Sequence, residues 1–519
     1  MNLADILEAS ASRHPDKTCV IQDEDGPRLI YRQVLDRAYR LAHVLRGLSV
    51  QKGDRVAVFL TNSYHYLEIY FSLARIGAIV VGLNFRLKEK EAAYILNHAR
   101  AKVLILEERY APMFIALRTS LSFVQHHLCI GSPQSKMLDY ESMIQQTPEG
   151  EPPRVEAGDQ ETLGIMYTSG TTGLPKGVEF SNRAIAVTFD YPSAIRPGII
   201  LVNVPFYHIA GALNIYTAVY KESTLVIIPQ FDPGKALRLI EKEGVTETYL
   251  VPTMLRAILD HPDFRKRNSS SLKRIRYGAA PMPPELILRG IKELPCDYYN
   301  AFGQTETSGT AIALTEEDHR LSGGQEEIAR KLKRLSGIGR PIPEISCRLI
   351  DEKGREVAPG EIGEILVRGD KLMKGYWEDP EETAKALKKG WLHTGDMARM
   401  DEDGYIYLAD RKKDVINRGG EKIFPAEVES VLNQHPQVLE SAVVGVPDEY
   451  WGERVQAFVV LREGATCSEE EMVEFCRSRL ASYKKPSGVQ FLPELPKNAV
   501  GKVLKYTLRE KVRNRGKKQ

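Results

Sequence analysis

Residues Met166 to Phe180 read MYTSGTTGLPKGVEF. In the core of the stretch, Thr168 to Gly177, ten positions hold three glycines, three threonines, a serine and a lysine. Glycines free the backbone amides, and the hydroxyls and ammonium add donors, so the stretch can cradle anionic oxygens. The spacing approaches the phosphate loop G-x-x-x-x-G-K-[ST], but Pro175 stands at the second glycine and Gly177 at the hydroxyl. Taken alone, this is either another kind of phosphate loop or a Gly/Thr-rich surface turn. Its surroundings decide between the two.

The chain has 519 residues, too many for one hydrophobic core, which stops growing near ~250–300 residues. With 43% hydrophobic and 27% charged residues it is an ordinary globular composition, and a net charge of +2 argues for no charged partner. Short Val/Ile-rich runs (Arg55–Leu60, Lys102–Glu107, Ser223–Pro229, Glu247–Pro252, Arg274–Gly278) alternate with helical patterns (Tyr64–Ile76, Lys88–Arg100, Gly234–Gly244, Pro283–Leu294). Such alternation predicts an α/β fold with doubly wound parallel sheets, because a helix makes the parallel crossover. Gln146–Gln160 reads as a loop, and charge-dense Glu316–Arg334 as a mobile surface loop.

From Ser346 the texture changes to short strands joined by the turns Asp351–Gly354 and Asp401–Gly404, a small antiparallel, barrel-like β unit. Beyond Asp414 a helix (Pro425–Asn433), two strands (Leu439–Gly445 and Arg454–Leu461) and a helix opened by the capping box Ser468–Glu471 read as a small α+β domain. The six cysteines form no C-x-x-C and no Cys/His cluster, so they read as reduced cytosolic thiols. No signal peptide and no apolar run of ~18 residues is present, which places the protein in the cytoplasm. Basic runs such as Arg265–Arg267 and Lys331–Arg334 read as solvated surface, with peripheral membrane contact as the alternative and no nucleic-acid partner expected.

Other motifs join the opening loop. In FGQTE, Phe302–Glu306, Thr305 can donate to a phosphate oxygen and Glu306 offers a hard carboxylate for Mg²⁺. WLHTGD, Trp391–Asp396, ends in an aspartate of the kind that accepts both hydroxyls of a ribose. Each alone reads equally as a capped turn. Together with DRKKDVI (Asp410–Ile416) and NAVGK (Asn498–Lys502), in this order along nearly the whole chain, they resemble the adenylate-forming superfamily: acyl-CoA synthetases, adenylation domains and luciferases. The chain is most similar to bacterial fatty-acid and aryl-acid CoA ligases.

The resemblance implies a reaction in two halves: a carboxylic acid attacks the α-phosphate of ATP, giving acyl-adenylate and pyrophosphate, and coenzyme A then takes the acyl group and releases AMP. It implies that Thr168, Ser169, Gly170, Thr171, Thr172, Gly173 and Lys176 hold the β- and γ-phosphates. Thr305 would reach the α-phosphate, and Glu306 with Thr168 would hold Mg²⁺. Gly278, Ala279, Ala280, Asn300, Phe302 and Gly303 would receive the adenine, and Asp396 with Arg411 the ribose. Lys502 would bridge carboxylate and α-phosphate when the domains close. The implied division is 1–412, with the β subdomain at about 340–412, and a mobile 413–519, hinged at Lys413. Gly419, Gly420 and Trp451 would meet coenzyme A in the second half-reaction. His208, in PFYHIAG, matches the gate between acid and thiol.

Two departures stand out: Phe302 replaces a common tyrosine, and Lys413 an aspartate found in some members. The acyl wall implied by the family is Ile209, Ala210, Gly211 and Ala212, then Ser308, Gly309, Thr310 and Ala311. It is small and apolar, without Lys or Arg, which favours an uncharged apolar tail. A medium- or long-chain fatty acid is the expected substrate; an aryl acid, the loading of a carrier protein and a homodimeric assembly stay open.

Overall fold

A computed structural model describes residues 3–168, 175–191, 194–497 and 503–516. The candidate residues Ser169, Gly170, Thr171, Thr172, Gly173 and Lys502 lie outside the described residues. By density of internal contacts the chain divides into Met1–Ser346 with Arg368–Leu392, and Cys347–Val367 with His393–Gln519. This division groups the small β unit with the C-terminal segment; Lys413 falls inside the second unit.

In the first unit, the strand–helix alternation builds two mixed sheets. The strands Arg55–Phe59, Ala101–Glu107, Thr224–Ile227, Glu247–Leu250 and Arg274–Gly278 stand where the apolar runs predict them. One nine-stranded sheet has a parallel centre running through Thr18–Gln22, Thr224–Ile227, Ile199–Val202, Glu247–Leu250, Arg274–Gly278 and Asp297–Gln304. The strand Gly309–Leu314 then returns antiparallel to Asp297–Gln304. An eight-stranded sheet is parallel from Thr162–Thr168 out to Leu138–Asp139, and Lys176–Ser181 and Gly375–Tyr376 extend it antiparallel. Strands buried on both faces, such as Val56–Phe59 and Leu104–Leu106 at 0% exposure, explain the continuous apolar runs. Parallel order sends the ends of Thr162–Thr168, Arg274–Gly278 and Asp297–Gln304 into loops at the carboxyl edges, where α/β sheets bind ligands.

One expectation is overturned. The stretch read as a mobile loop holds two helices, Glu316–His319 and Gln325–Arg334. Ile328, Lys331 and Leu335 share one helical face, and the inward lysine donates to Glu317 at 2.8 Å and to the Arg320 carbonyl at 2.9 Å. An inward charge with its own partners broke the apolar period on which the reading relied.

The strands Ser346–Ile350, Ile362–Arg368, Trp391–Met400 and Ile406–Arg411, which fall mostly in the second unit, are neighbours in one sheet. The Asp351 carboxylate closes its turn by accepting from the Lys353 and Arg355 amides, and Asp401 repeats this with Asp403 and Tyr405. A second sheet runs Glu421–Ile423, Ile416–Arg418, Gly452–Leu461, Val438–Asp448, with Gly488–Phe491 parallel to Gly452–Leu461. The capping box is present: Ser468 Oγ accepts from the Glu471 amide at 3.1 Å and Glu471 from the Ser468 amide at 2.8 Å.

Candidate active site

The opening loop joins two antiparallel strands, with Thr168 and Lys176 opposite each other at its base. The strand leaving the loop packs against the short helix Thr305–Thr307. That turn is tied tightly. Gly303 allows the approach, since a Cβ there would lie 2.0 Å from the Gly309 carbonyl oxygen. Thr307 Oγ1 accepts from the Gln304 amide at 2.8 Å and lies 2.6 Å from the Gly309 carbonyl. Ser308 and Gly309 both adopt positive φ, 45° and 94°. The half-buried Glu306 thus faces out of a turn held by its neighbours; its Oε1 accepts from the Tyr376 hydroxyl at 3.0 Å, and its carbonyl from the Met373 amide at 2.8 Å.

The strand Arg274–Gly278 ends beside it. A Cβ on Gly278 would meet the Ala301 carbonyl at 2.2 Å, so glycine is required where the two strands close up. Ala279 follows, exposed and at φ 64°, and Ala280 completes the exit. Phe302 and Gly303 continue the neighbouring strand. Asn300 is buried at the same level, and its Oδ1 has no hydrogen-bond partner. Nor do the buried Ser308 Oγ and His208 Nε2. Buried polar atoms are usually paired, and each of these three is open to a partner from a bound molecule.

His208 caps the helix Ile209–Tyr220. The turn before it is gripped from several sides: Asn62 donates to the Val204 carbonyl at 2.8 Å and accepts from the Phe206 amide at 2.9 Å, and the Tyr70 hydroxyl donates to the Phe206 carbonyl at 2.7 Å. Gly211 lets the helix abut this turn, since a Cβ would lie 2.1 Å from the Pro205 carbonyl. Part of His208 is accessible, but its ring is enclosed enough that burial pushes the imidazole down to about 4. The same helix packs on Gly309–Leu314, with Gly309 over Leu213, and Ile209, Ala212 and Ala311 are buried. The wall between them is as small and apolar as its sequence. It is buttressed by a charge that the sequence does not announce: Lys371, 1% exposed, donates to the Thr310 carbonyl at 2.5 Å and lies 5.3 Å from the Tyr191 ring centroid.

The second unit holds the remaining candidates in two groups. Asp396 and Arg411 are register partners, ion-paired at 2.6 Å, and Asp396 is 4% exposed. Its backbone is set by Thr394, whose Oγ1 accepts from the Asp396 amide and donates to the Ile365 carbonyl. Lys413 follows, exposed. Elsewhere in the unit Gly419 (φ 61°) and Gly420 (φ 93°) form a tight turn; a Cβ on Gly419 would lie 2.6 Å from the Trp451 ring, and its amide donates to the Trp451 carbonyl at 2.7 Å. Trp451 is 43% exposed, with the Arg418 guanidinium 5.3 Å from its centroid. Lys497 and Val503 form an isolated bridge, and Lys505 pairs with Glu429 at 2.8 Å.

Tyr376, Thr307 and Lys371 were not singled out by the sequence. The GYW that contains Tyr376 stands in a two-residue strand too short to read.

Comparison with known proteins gives the same picture from another side. The AMP-binding enzyme family matches residues 7–377, and the AMP-binding enzyme C-terminal domain matches 427–502. A long-chain-fatty-acid–CoA ligase of Bacillus subtilis is 35% identical, covering 98% of this chain and 94% of that protein. An indoleacetate–CoA ligase of Aromatoleum aromaticum is also 35% identical, covering 99% and 98%. Among solved structures, the anthranilate CoA ligase AuaEII in complex with anthranoyl-AMP superposes with a TM-score of 0.88 at 27% identity, covering 98% and 97%. The chain belongs to the AMP-binding enzyme family and is an acid–thiol ligase of the AMP-forming kind.

Proposed function

We propose that this ligase makes acyl-CoA from an acid with an uncharged, apolar tail, a medium- or long-chain fatty acid. The observation that carries the reading is the small wall of buried Ile209, Gly211, Ala212 and Ala311 with half-buried Gly309, beside His208 Nε2 and Ser308 Oγ, which have no hydrogen-bond partner. An aryl acid is the second reading, favoured by the likeness to the indoleacetate ligase. ATP, Mg²⁺ and coenzyme A are the other reactants of the enzyme. Its workplace, in this reading, is the cytoplasm, in keeping with six free cysteines.

The roles in this reading are those of the family's motifs. Thr168 and Lys176 hold the outer phosphates and Thr305 the α-phosphate; Asn300, Phe302, Gly303 and the Gly278–Ala280 exit receive adenine; Asp396 takes the ribose, steadied by Arg411. Glu306 suits Mg²⁺, which binds through one or two carboxylates plus phosphate oxygens; with Thr168 it would place the ion, which supplies charge neutralisation as pyrophosphate forms. No protein nucleophile is needed, so the chain contributes placement and fixed charge. Lys502 bridges the reacting carboxylate and α-phosphate, a rotation at Lys413 separates the half-reactions, and Gly419, Gly420 and Trp451 meet coenzyme A. His208, neutral because buried, separates acid from thiol.

The test is pyrophosphate release over acids from acetate to palmitate and substituted benzoates, with free coenzyme A or holo-carrier protein as acceptor. Highest turnover with a fatty acid and coenzyme A is expected; a benzoate or the carrier in first place refutes the reading. In parallel, Lys502→Ala should abolish adenylation and spare conversion of supplied acyl-adenylate to thioester.

A further inference from the structure

The large unit contains an ion pair that none of these roles uses. The Lys176 ammonium is bound by the Glu382 carboxylate, and it lies 5.0 Å from the centroid of the Tyr376 ring. The hydroxyl of the same tyrosine donates to Glu306. One side chain therefore touches both the loop lysine and the magnesium carboxylate.

The arrangement is built by close packing. Tyr376 is the register partner of Val178, and Lys176 shares the Val178 face, so the ring lies diagonally across from the ammonium. Gly375 has no side chain, since a Cβ would lie 2.8 Å from Thr383; this brings the helix Pro380–Ala386 against the edge strand, with Thr383 Oγ1 accepting from the Tyr376 amide at 2.8 Å. Asp379 caps that helix by accepting from the Glu382 amide at 3.0 Å. Glu382 is thereby aimed at Lys176. Its second oxygen accepts from Lys385 at 2.8 Å, and Lys385 also pairs with Glu381 at 3.0 Å. The side chains of Lys176 and Glu382 are 15% and 25% exposed, so the pair is sheltered but reachable.

We propose that Glu382 is an internal stand-in for the polyphosphate: it holds Lys176 when none is bound, yields it to the β- and γ-phosphates of ATP, and reclaims it as pyrophosphate leaves. The proposal rests on the phosphate role given to Lys176 above. A polyphosphate displaces a single carboxylate because it brings more charge. Lys385 keeps Glu382 compensated during the exchange, and the Tyr376 ring keeps the ammonium in place without binding either anion. Glu382 is then a positioning residue that weakens retention of ATP and pyrophosphate together, and leaves AMP untouched because AMP lacks the outer phosphates.

Calorimetric titration of the full-length protein with ATP, pyrophosphate and AMP, in magnesium, tests this. Glu382→Gln should bind ATP and pyrophosphate about three- to tenfold more tightly, the scale of a partly sheltered ion pair, and AMP equally. Glu382→Asp, which keeps the charge and shortens the reach, should fall between. Unchanged pyrophosphate affinity in Glu382→Gln, or an equal gain for AMP, overturns the proposal. The cycle with Lys176→Met isolates the contact: in that background Glu382→Gln should have no effect, and the same gain there shows a diffuse charge effect and refutes it. Lys176→Met binding pyrophosphate as tightly as wild type would instead sink the phosphate role of the loop lysine.

Discussion

Lys371→Met isolates the buried cation behind the acyl wall. Burial pushes the Lys371 ammonium from 10.5 to about 7, opposed only by the Glu344 charge. Above pH 10.5 the amine is neutral in folded and unfolded chain alike. As pH falls from 10.5 to 7 the unfolded chain takes up the proton before the folded one, so stability declines across that window, and the full penalty persists below it. The gap corresponds to about 5 kcal/mol at about 1.4 kcal/mol per pH unit, of which about 2.5 kcal/mol is recovered between pH 6 and pH 9. Methionine fills about the same volume without charge and removes the bond to the Thr310 carbonyl, a cost of about 1–3 kcal/mol that does not depend on pH. The assay is urea unfolding of wild type and variant at pH 6 and pH 9. The stability of the variant relative to wild type should be higher at pH 6 than at pH 9 by about 2.5 kcal/mol. A difference that stays constant between these pH values refutes the reasoning, because it would mean that Lys371 titrates alike in both states.

Two further expectations follow. Gly419→Ala places a Cβ 2.6 Å from the Trp451 ring at φ 61°, so it should raise KM for coenzyme A severalfold while pyrophosphate release without coenzyme A is unchanged, measured in separate half-reaction assays. His208, held at about 4 by burial, stays neutral above pH 5, so thioester formation should show no step near pH 6.5 that Gln at this position removes. Its contribution to stability should be lost as pH falls from 6.5 to 4, a loss that His208→Gln abolishes in acid unfolding.

The five strands and four helices read in the first three hundred residues stand within two positions of their expected bounds, because buried parallel strands are continuous apolar runs; others there, such as Tyr31–Gly47 and Ile199–Val202, were not read. The motif loops were readable because glycine and proline force their turns: Gly303, Gly278 and Gly211 each stand where a Cβ would strike backbone. What escaped is tertiary. The helix Gln325–Arg334 has a lysine on its inward face, paired by residues outside it. Lys371 is buried where composition places lysine in water, and Tyr376 reaches Glu306 from a strand of two residues, seventy positions away. No local pattern holds those pairings; they exist once the sheets are assembled.

The grip on the turn before His208 bears on how fast a thiol could pass it. Asn62 and Tyr70 fasten the backbone on both sides of Phe206, and the bare Cα of Gly211 leaves the helix no slack against Pro205. With the backbone of the turn tied in this way, the freedom left at this position is that of the imidazole, about its own two side-chain bonds. Such rotations belong to the fast end of protein motion, far quicker than the domain rearrangements of microseconds and longer. A gate made of this side chain, as proposed above for His208, would open on that fast scale.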